Sequence, residues 1–90
     1  MKVALIAKDK PDAIHIRMAT RDAHVAYLKS NACVEQAGPL MDDIGQMIGS
    51  LIILDVEDVA AAQVFADNDP YKHADLFASV ELIPWNRVIG

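Results

Sequence analysis

The sequence predicts an α+β fold with four strands and two helices in the order β-α-β-β-α-β. Apolar runs of strand length stand near both ends of the chain, and two more strand-like segments in the middle are joined by a short turn. A helical segment lies on either side of that middle pair. Ninety residues suit one layered core, so a single domain over residues 1–90 is expected.

The first half of the chain gives a strand, a helix and a second strand. Val3–Ala7 is an apolar run of strand length. A loop that contains Pro11 separates it from Ile14–Ser30, which is predicted to form a helix of about four turns. Val34–Met41 follows as the second strand, although it contains Gly38-Pro39.

The second half gives a hairpin, a helix and a last strand. A short turn of Asp and Gly residues leads into Met47–Val56, the strongest strand pattern of the chain. Glu57–Asp67 is Ala-rich and helical, with acidic residues in its first turn, where the helix dipole favours them. Pro70 should end this helix, and Leu76–Trp85 is the last strand.

A hairpin in the middle of a β-α-β-β-α-β order is the ferredoxin-like arrangement. Right-handed crossovers place both helices on the same face of a four-stranded antiparallel sheet. The first and third strands then form the central pair.

The second face of this sheet predicts a partner. Both alternating sets of the strand Met47–Val56 are apolar, with Ile48, Ile52, Leu54 and Val56 on one side and Met47, Leu51 and Ile53 on the other. A strand that is apolar on both faces is usually covered on both faces. We therefore expect a homodimer formed through the sheet face opposite the helices. The alternative is a monomer that leaves some Leu and Ile side chains exposed.

Composition narrows the classes of partner. Eight Lys and Arg residues against thirteen Asp and Glu give a net charge of −5, so binding to nucleic acid or to an anionic membrane surface is not expected. The single cysteine, Cys33, fits a reducing compartment, and the apolar run after Lys2 is too short to be a signal or to span a membrane. We expect a cytoplasmic protein.

The first helix places three basic residues among its large apolar ones. An arc of about 120° collects Ile14, Arg17, Met18, Arg21, His24, Val25 and Leu28. Buried charge is costly unless paired, so Arg17, Arg21 and His24 could border a cleft that holds carboxylates or a bound anion. Alternatively, the arginines reach the edge of the apolar stripe and His24 is a hydrogen-bonded core residue. The pattern leaves both interpretations open.

Asp69, Pro70 and Tyr71 form a second candidate at the corner before the last strand. Pro70 disfavours a helical conformation at Asp69, which fixes a carboxylate and a phenol there. His24 is the natural acid or base, and Asp69 is the best-placed carboxylate, so we expect the two within hydrogen-bond reach. The alternative is that Asp69 is only a turn or capping residue. Tyr71 either closes the pocket or packs over it.

Other polar residues give weaker signals. Gly49 allows close approach of backbone or ligand within its strand, and Ser50 offers a hydroxyl without the elbow of a serine hydrolase. The three histidines lack metal-ligand spacing and one cysteine cannot build a structural zinc site, so no metal is expected. Cys33 is more typical of a small core residue than of a nucleophile. Without a Gly-rich phosphate loop, no cofactor is expected either.

These pieces together resemble the YciI-like (YCII-related) domain family over nearly the whole chain. The matching pieces are Arg17, Arg21 and His24 in RMATRDAHVAYL, Gly38-Pro39 in EQAGPL, Gly49-Ser50 in IGSLII, Asp69-Pro70-Tyr71 in NDPYKHADLF, and Pro84 in VELIPWNRV. The hairpin between Pro39 and Gly49 looks shorter than in many members, which leaves open what it contributes to a pocket.

The resemblance implies a ferredoxin-like fold that dimerises into an α+β barrel. It also implies an active site in which His24 and Asp69 face each other, with Arg17, Arg21 and Ser50 lining the same cleft. The first hypothesis is a cofactor-independent enzyme that acts on a small anionic organic molecule through this acid–base pair, with lyase- or isomerase-like chemistry. The alternatives are a non-catalytic small-molecule-binding module and a structural dimer unit. Fold alone does not choose among them.

Overall fold

A computed structural model describes residues 1–90 and confirms the ferredoxin-like α+β fold. The elements are β1 (Lys2–Asp9), α1 (Ile14–Ser30), β2 (Val34–Met41), β3 (Met47–Asp55), α2 (Val59–Asp67), α3 (Pro70–His73) and β4 (Phe77–Trp85). All four strands form one antiparallel sheet in the order β2-β3-β1-β4, so the first and third strands are central as predicted. None of the helices has the length and apolar composition needed to cross a bilayer.

One expectation at the helix ends needs correction, and one helix was not expected. The acidic residues expected in the first turn of α2 precede it, because the Asp58 carboxylate accepts a hydrogen bond from the Ala61 backbone N–H and begins the helix as its cap. The chain leaves α2 at Asp67, before Pro70, but then forms the additional short helix α3. Proline is tolerated in the first turn of a helix, where its missing N–H is not needed.

The apolar core lies between α2 and the central strands. It consists of Val3, Leu5, Ala7, Ile52, Leu54, Ala62, Phe65 and Ala66. Its members from β1 are three alternate residues, Val3, Leu5 and Ala7, which follows from the alternation of side chains along a strand. Tyr27 and Leu28 of α1 and Cys33 lie at its edge, partly buried, so the expectation that Cys33 packs as a small core residue is met.

Helix α1 covers the same sheet with a different set of side chains. Its only buried residues are Arg17 and His24, which are seven residues apart and therefore lie on one line of the helix. Met18 was predicted on the inward arc, but it is 55% exposed, and Arg21 is also exposed. The buried line is narrower than the predicted arc because the helix rests on α3 and the sheet edge rather than on a broad apolar layer.

The sheet face opposite the helices remains partly exposed. Ile52 and Leu54 share one side of β3 as predicted, and this side faces the helices, whereas Leu51 and Ile83 are 39% and 45% exposed. Two assignments in β3 were wrong. Ile48, predicted on the same side as Ile52, is 45% exposed, and Met47, predicted on the other side, lines the same cavity as Ser50. Both residues lie at the start of β3, where its register with β2 shifts, and such a shift disturbs the regular alternation of side chains between the two faces.

Candidate active site

The corner before α3 holds a buried carboxylate that serves two partners. Asp69 is 1% exposed, and its Oδ1 accepts a hydrogen bond from the Tyr71 backbone N–H at 2.9 Å. The same oxygen lies 2.8 Å from His24 Nδ1. The predicted hydrogen bond between His24 and Asp69 is therefore present. Asp69 also caps α3, but it is not only a capping residue, because the same oxygen contacts His24.

This geometry determines which histidine nitrogen is free. An ionised carboxylate can only accept hydrogen bonds, so His24 Nδ1 carries the hydrogen that Asp69 Oδ1 receives. Nε2 is then the ring nitrogen left for a ligand. His24 is 6% exposed and lines a cavity, so Nε2 can act there as a proton acceptor or, when charged, as a donor.

Tyr71 connects the histidine to the first arginine. Its ring stacks on the His24 imidazole with 3.9 Å between centroids and 18° between planes. The Arg17 guanidinium carbon lies 4.6 Å from the centre of the same ring, a cation–π distance. Phe77 meets the ring edge-on. These contacts fix Tyr71 at 1% exposure, so it both lines the cavity and packs over the core.

Arg17 is held by a carboxylate that the sequence did not indicate. Its Nε and Nη2 donate to Asp9 Oδ2 and Oδ1 at 2.7 and 2.8 Å, which makes a bidentate ion pair between the end of β1 and the first turn of α1. Nη2 also donates to Ser50 Oγ at 3.0 Å. Asp9 was expected in a loop, but β1 continues to it. A carboxylate at a strand end gives no signal in the sequence that it will meet a particular helix side chain.

Glycine at position 49 is required for the position of Ser50. A Cβ at Gly49 would lie 2.3 Å from the backbone oxygen of Ala7, which no side chain could accommodate without displacement of a strand. The close approach predicted for this glycine is therefore between β3 and β1. It brings Ser50, which is 2% exposed, within reach of Arg17.

Five of the six predicted site residues border one cavity of about 550 Å³ between α1 and the β2–β3 half of the sheet, and Asp69 is buried behind His24 without lining it. Its lining residues are Arg17, Arg21, His24, Val25, Leu28, Lys29, Asn31, Ala32, Val34, Ala37, Gly38, Pro39, Met47, Ser50, Ile52 and Tyr71. The charged members are three cations, and no Asp or Glu is among them. The short hairpin contributes Met47 to this wall. The cavity thus combines an apolar interior with positive charge.

Burial and the neighbouring charges set the protonation of two residues. Burial raises the pKa of Tyr71 above its ordinary value, and the attraction of Arg17 only partly opposes this. Tyr71 therefore remains a neutral phenol at pH 7. For Arg17, burial acts against the charge, but the hydrogen bonds and the attraction of Asp9 outweigh it, so its pKa lies above its usual range. No cluster of three or more His, Cys, Asp or Glu side chains is placed to hold a metal ion.

Fold and cavity together define a ferredoxin-like α+β protein with a basic cavity beside a buried histidine–aspartate pair. The chain belongs to the YCII-related domain family, whose model matches residues 1–86. It is 33% identical to the protein YciI of Escherichia coli over 98% of this chain and 99% of the relative. An uncharacterized protein of Haemophilus influenzae is 30% identical over the same shares.

Solved structures share the fold. A 5-chloro-2-hydroxyhydroquinone dehydrochlorinase from Burkholderia phenoliruptrix, in complex with 2,5-dihydroxybenzoquinone, superposes with a TM-score of 0.86 at 31% identity, covering 96% of this chain and 94% of that one. Rv0793 from Mycobacterium tuberculosis superposes with a TM-score of 0.65 at 15% identity, covering 99% and 100%. The second similarity concerns the fold alone.

Proposed function

We propose that the protein is a cofactor-independent enzyme that moves a proton on a small anionic organic molecule. The observation that carries this proposal is the hydrogen bond of 2.8 Å between His24 Nδ1 and Asp69 Oδ1 at the wall of a cavity whose charged lining residues are all basic. A histidine oriented by a buried carboxylate is suited to acid–base catalysis. A cationic, half-apolar cavity is suited to an anion with an apolar body.

Each predicted site residue has a role in this proposal. His24 Nε2 takes the proton, and Asp69 holds the ring and stabilises the imidazolium that forms. Arg21 pairs with an anionic oxygen of the substrate. Ser50 Oγ accepts from Arg17, which leaves its hydroxyl hydrogen free to donate to the substrate. The Tyr71 ring stacks on the His24 imidazole and helps to hold its orientation.

Elimination or isomerisation is the reaction class that these groups support. His24 removes a proton from an acidic C–H or O–H, and the electron pair forms a new double bond. In an elimination on a chlorinated hydroxyquinol, the imidazolium returns the proton to the ring carbon that bears chlorine, and chloride then departs with its electrons as a second hydroxyl group loses its proton. In an isomerisation the imidazolium returns the proton to another atom. Neither route needs an oxidant or a cofactor. The similarity to a dehydrochlorinase at 31% identity supports a halogenated or hydroxylated aromatic substrate.

The proposal is tested with chlorinated and chlorine-free hydroxyquinols as candidate substrates. Chloride release measures elimination, and deuterium uptake from D₂O, followed by NMR, measures proton transfer without a net reaction. His24→Asn should lower either rate by about 10²- to 10⁴-fold. His15→Asn is the matched control, because His15 is exposed on the same helix. Equal rates in the two variants would overturn the catalytic role of His24.

A non-catalytic binding module is the alternative. It predicts that the same compounds bind near His24 without chloride release or deuterium uptake. A structural dimer unit predicts that they do not bind at all. Asp69→Asn tests the coupling of the pair, because an amide can donate to Nδ1 and shift the imidazole to the other tautomer, which the ¹⁵N shifts of the His24 ring report. A tautomer change with a loss of chloride release or deuterium uptake indicates a working pair, and the same change with unaltered rates indicates a structural one.

The proposal includes a homodimer formed through the sheet face opposite the helices. Leu51 and Ile83 support it, because both are apolar, mid-strand and more than a third exposed. Sedimentation equilibrium should give twice the 9.8 kDa chain mass. Leu51→Asp should shift the protein toward monomer, and a stable monomer in the wild type would overturn this part.

The proposal also takes the protein to be a single domain that works in the cytoplasm. The unpaired Cys33 supports the cytoplasm, because a reducing compartment keeps thiols free.

A further inference from the structure

The three cations of the cavity differ in their charge partners. Arg17 forms the bidentate ion pair with Asp9, in which the two side chains are only 3% and 6% exposed. Arg21 and Lys29 form no salt bridge with any carboxylate within 4.0 Å. A count of the basic residues that line the cavity therefore overstates the net positive charge that a bound ligand experiences.

The geometry engages three of the five N–H groups of Arg17 and leaves only those of Nη1 for an anion. Its Nε and Nη2 already donate to the two Asp9 oxygens, and Nη2 also donates to Ser50 Oγ. Its flat guanidinium rests on the Tyr71 ring. Because a buried carboxylate at 2.7 Å cancels most of the field of the guanidinium, a ligand in the cavity experiences a nearly neutral pair.

Arg21 is the free guanidinium next to the proposed base. It lies three residues before His24, so the two side chains are neighbours on the helix surface. Its charge reaches the site, because it acts to lower the pKa of Tyr71 although burial raises that pKa overall. Lys29 lies eight residues farther along α1, about 12 Å along the helix axis, at the opposite end of the cavity.

We infer that Asp9 determines the charge selectivity of the cavity. By neutralising Arg17, it leaves one guanidinium near His24 and so restricts that end to a ligand with a single anionic group on an apolar or aromatic body. Asp9 is then a positioning residue that acts through Arg17, which it holds against Tyr71 and Ser50. The inference rests on the proposed anion-binding function and specifies its substrate class.

The test compares two anions of the same aromatic body, benzoate with one carboxylate and phthalate with two. Binding is measured by isothermal titration calorimetry. The wild type should bind phthalate no more tightly than benzoate. In Asp9→Asn the shape of the side chain is kept and Arg17 is released, so the preference for phthalate over benzoate should rise about tenfold. In Asp9→Asn/Arg17→Met that gain should disappear. A loss of packing alone would weaken both ligands and create no gain.

A second measurement uses the wild type and does not depend on how well Asp9→Asn folds. The Nε–H groups of the two arginines are followed by ¹⁵N NMR during titration with benzoate. The signal of Arg21 should shift, and that of Arg17 should stay at the position set by Asp9. A shift of Arg17 as large as that of Arg21 would overturn the inference.

The outcomes separate this inference from the proposed function. If the wild type binds neither anion, both fail. If benzoate binds and Arg21→Met abolishes the binding, the proposed anion site stands. In that case an unchanged preference in Asp9→Asn would overturn only the role of Asp9.

Discussion

Two helices cover the same face of the sheet, and they do so with opposite chemistry. Helix α2 buries Ala62, Phe65 and Ala66 against the central strands. Helix α1 is almost twice as long, yet it buries only Arg17 and His24. The α2 half is a dry apolar core, and the α1 half is a layer of paired charges beside a cavity.

The difference separates the part of this small domain that supplies most of the apolar burial, under α2, from the part that forms the candidate site, beside α1. Apolar burial under α2 is favourable over a range of side-chain arrangements. The charges under α1 lose their solvation, and only specific partners offset that cost. The pairs Asp9–Arg17 and His24–Asp69 have such geometry, with contacts of 2.7 to 2.8 Å. We therefore expect the α2 half to tolerate changes in packing and the α1 half to be sensitive to single polar substitutions.

The largest effect is expected when one partner of the buried ion pair is removed. Asp9→Ala should lower the free energy of unfolding by about 3–5 kcal/mol, because it leaves Arg17 charged and buried without a partner. Urea unfolding followed by circular dichroism measures the change.

The double variant Asp9→Ala/Arg17→Met is the matched control for this prediction. Removal of both charges should recover about half or more of the loss, because the uncompensated charge is gone. A double variant as unstable as Asp9→Ala would show that the carboxylate, and not the buried charge, is responsible.

A truncation under α2 tests the other half of the comparison. Leu54→Ala should cost about 2–5 kcal/mol, because Leu54 is fully buried in the apolar core. Leu54 does not line the cavity, so the affinity for benzoate should stay unchanged once the variant is folded. A simultaneous loss of affinity would mean that the two halves are coupled.

Alkaline pH should act on the α1 half through Tyr71. Burial raises the pKa of Tyr71 above 10.0, so the folded state holds this proton more tightly than the unfolded state. The resulting stability is complete below pH 10 and is lost as the pH rises above it. The free energy of unfolding should therefore fall less steeply above pH 10 in Tyr71→Phe than in the wild type. Parallel slopes would contradict this assignment.

The smallest effect on stability is expected at Arg21. This side chain is exposed and forms no ion pair, so Arg21→Met should change the free energy of unfolding by no more than about 0.5 kcal/mol. The same variant should lose the affinity for benzoate. Arg21→Met and Leu54→Ala are thus opposite cases, and similar behaviour of the two would invalidate the separation of stability from binding.

Local patterns were sufficient to predict most of the fold. The hairpin and the apolar strands gave the sheet order, and helical spacing placed Arg17 and His24 on the inner side of α1. Pro70 fixed Asp69 at the corner where it meets His24. In each case the signal is local: an alternation of side chains, a period of 3.6 residues or a missing N–H.

What the sequence by itself determined is therefore the set of elements, their order and the candidates His24 and Asp69. Only the tertiary structure decided how Arg17 is used, because its partner Asp9 depends on how far β1 extends and how α1 crosses the sheet. It also distinguished the buried, paired Arg17 from the exposed Arg21, although the two look alike on a helical wheel. A buried charge is defined by partners from other elements, and those contacts have no period in the sequence.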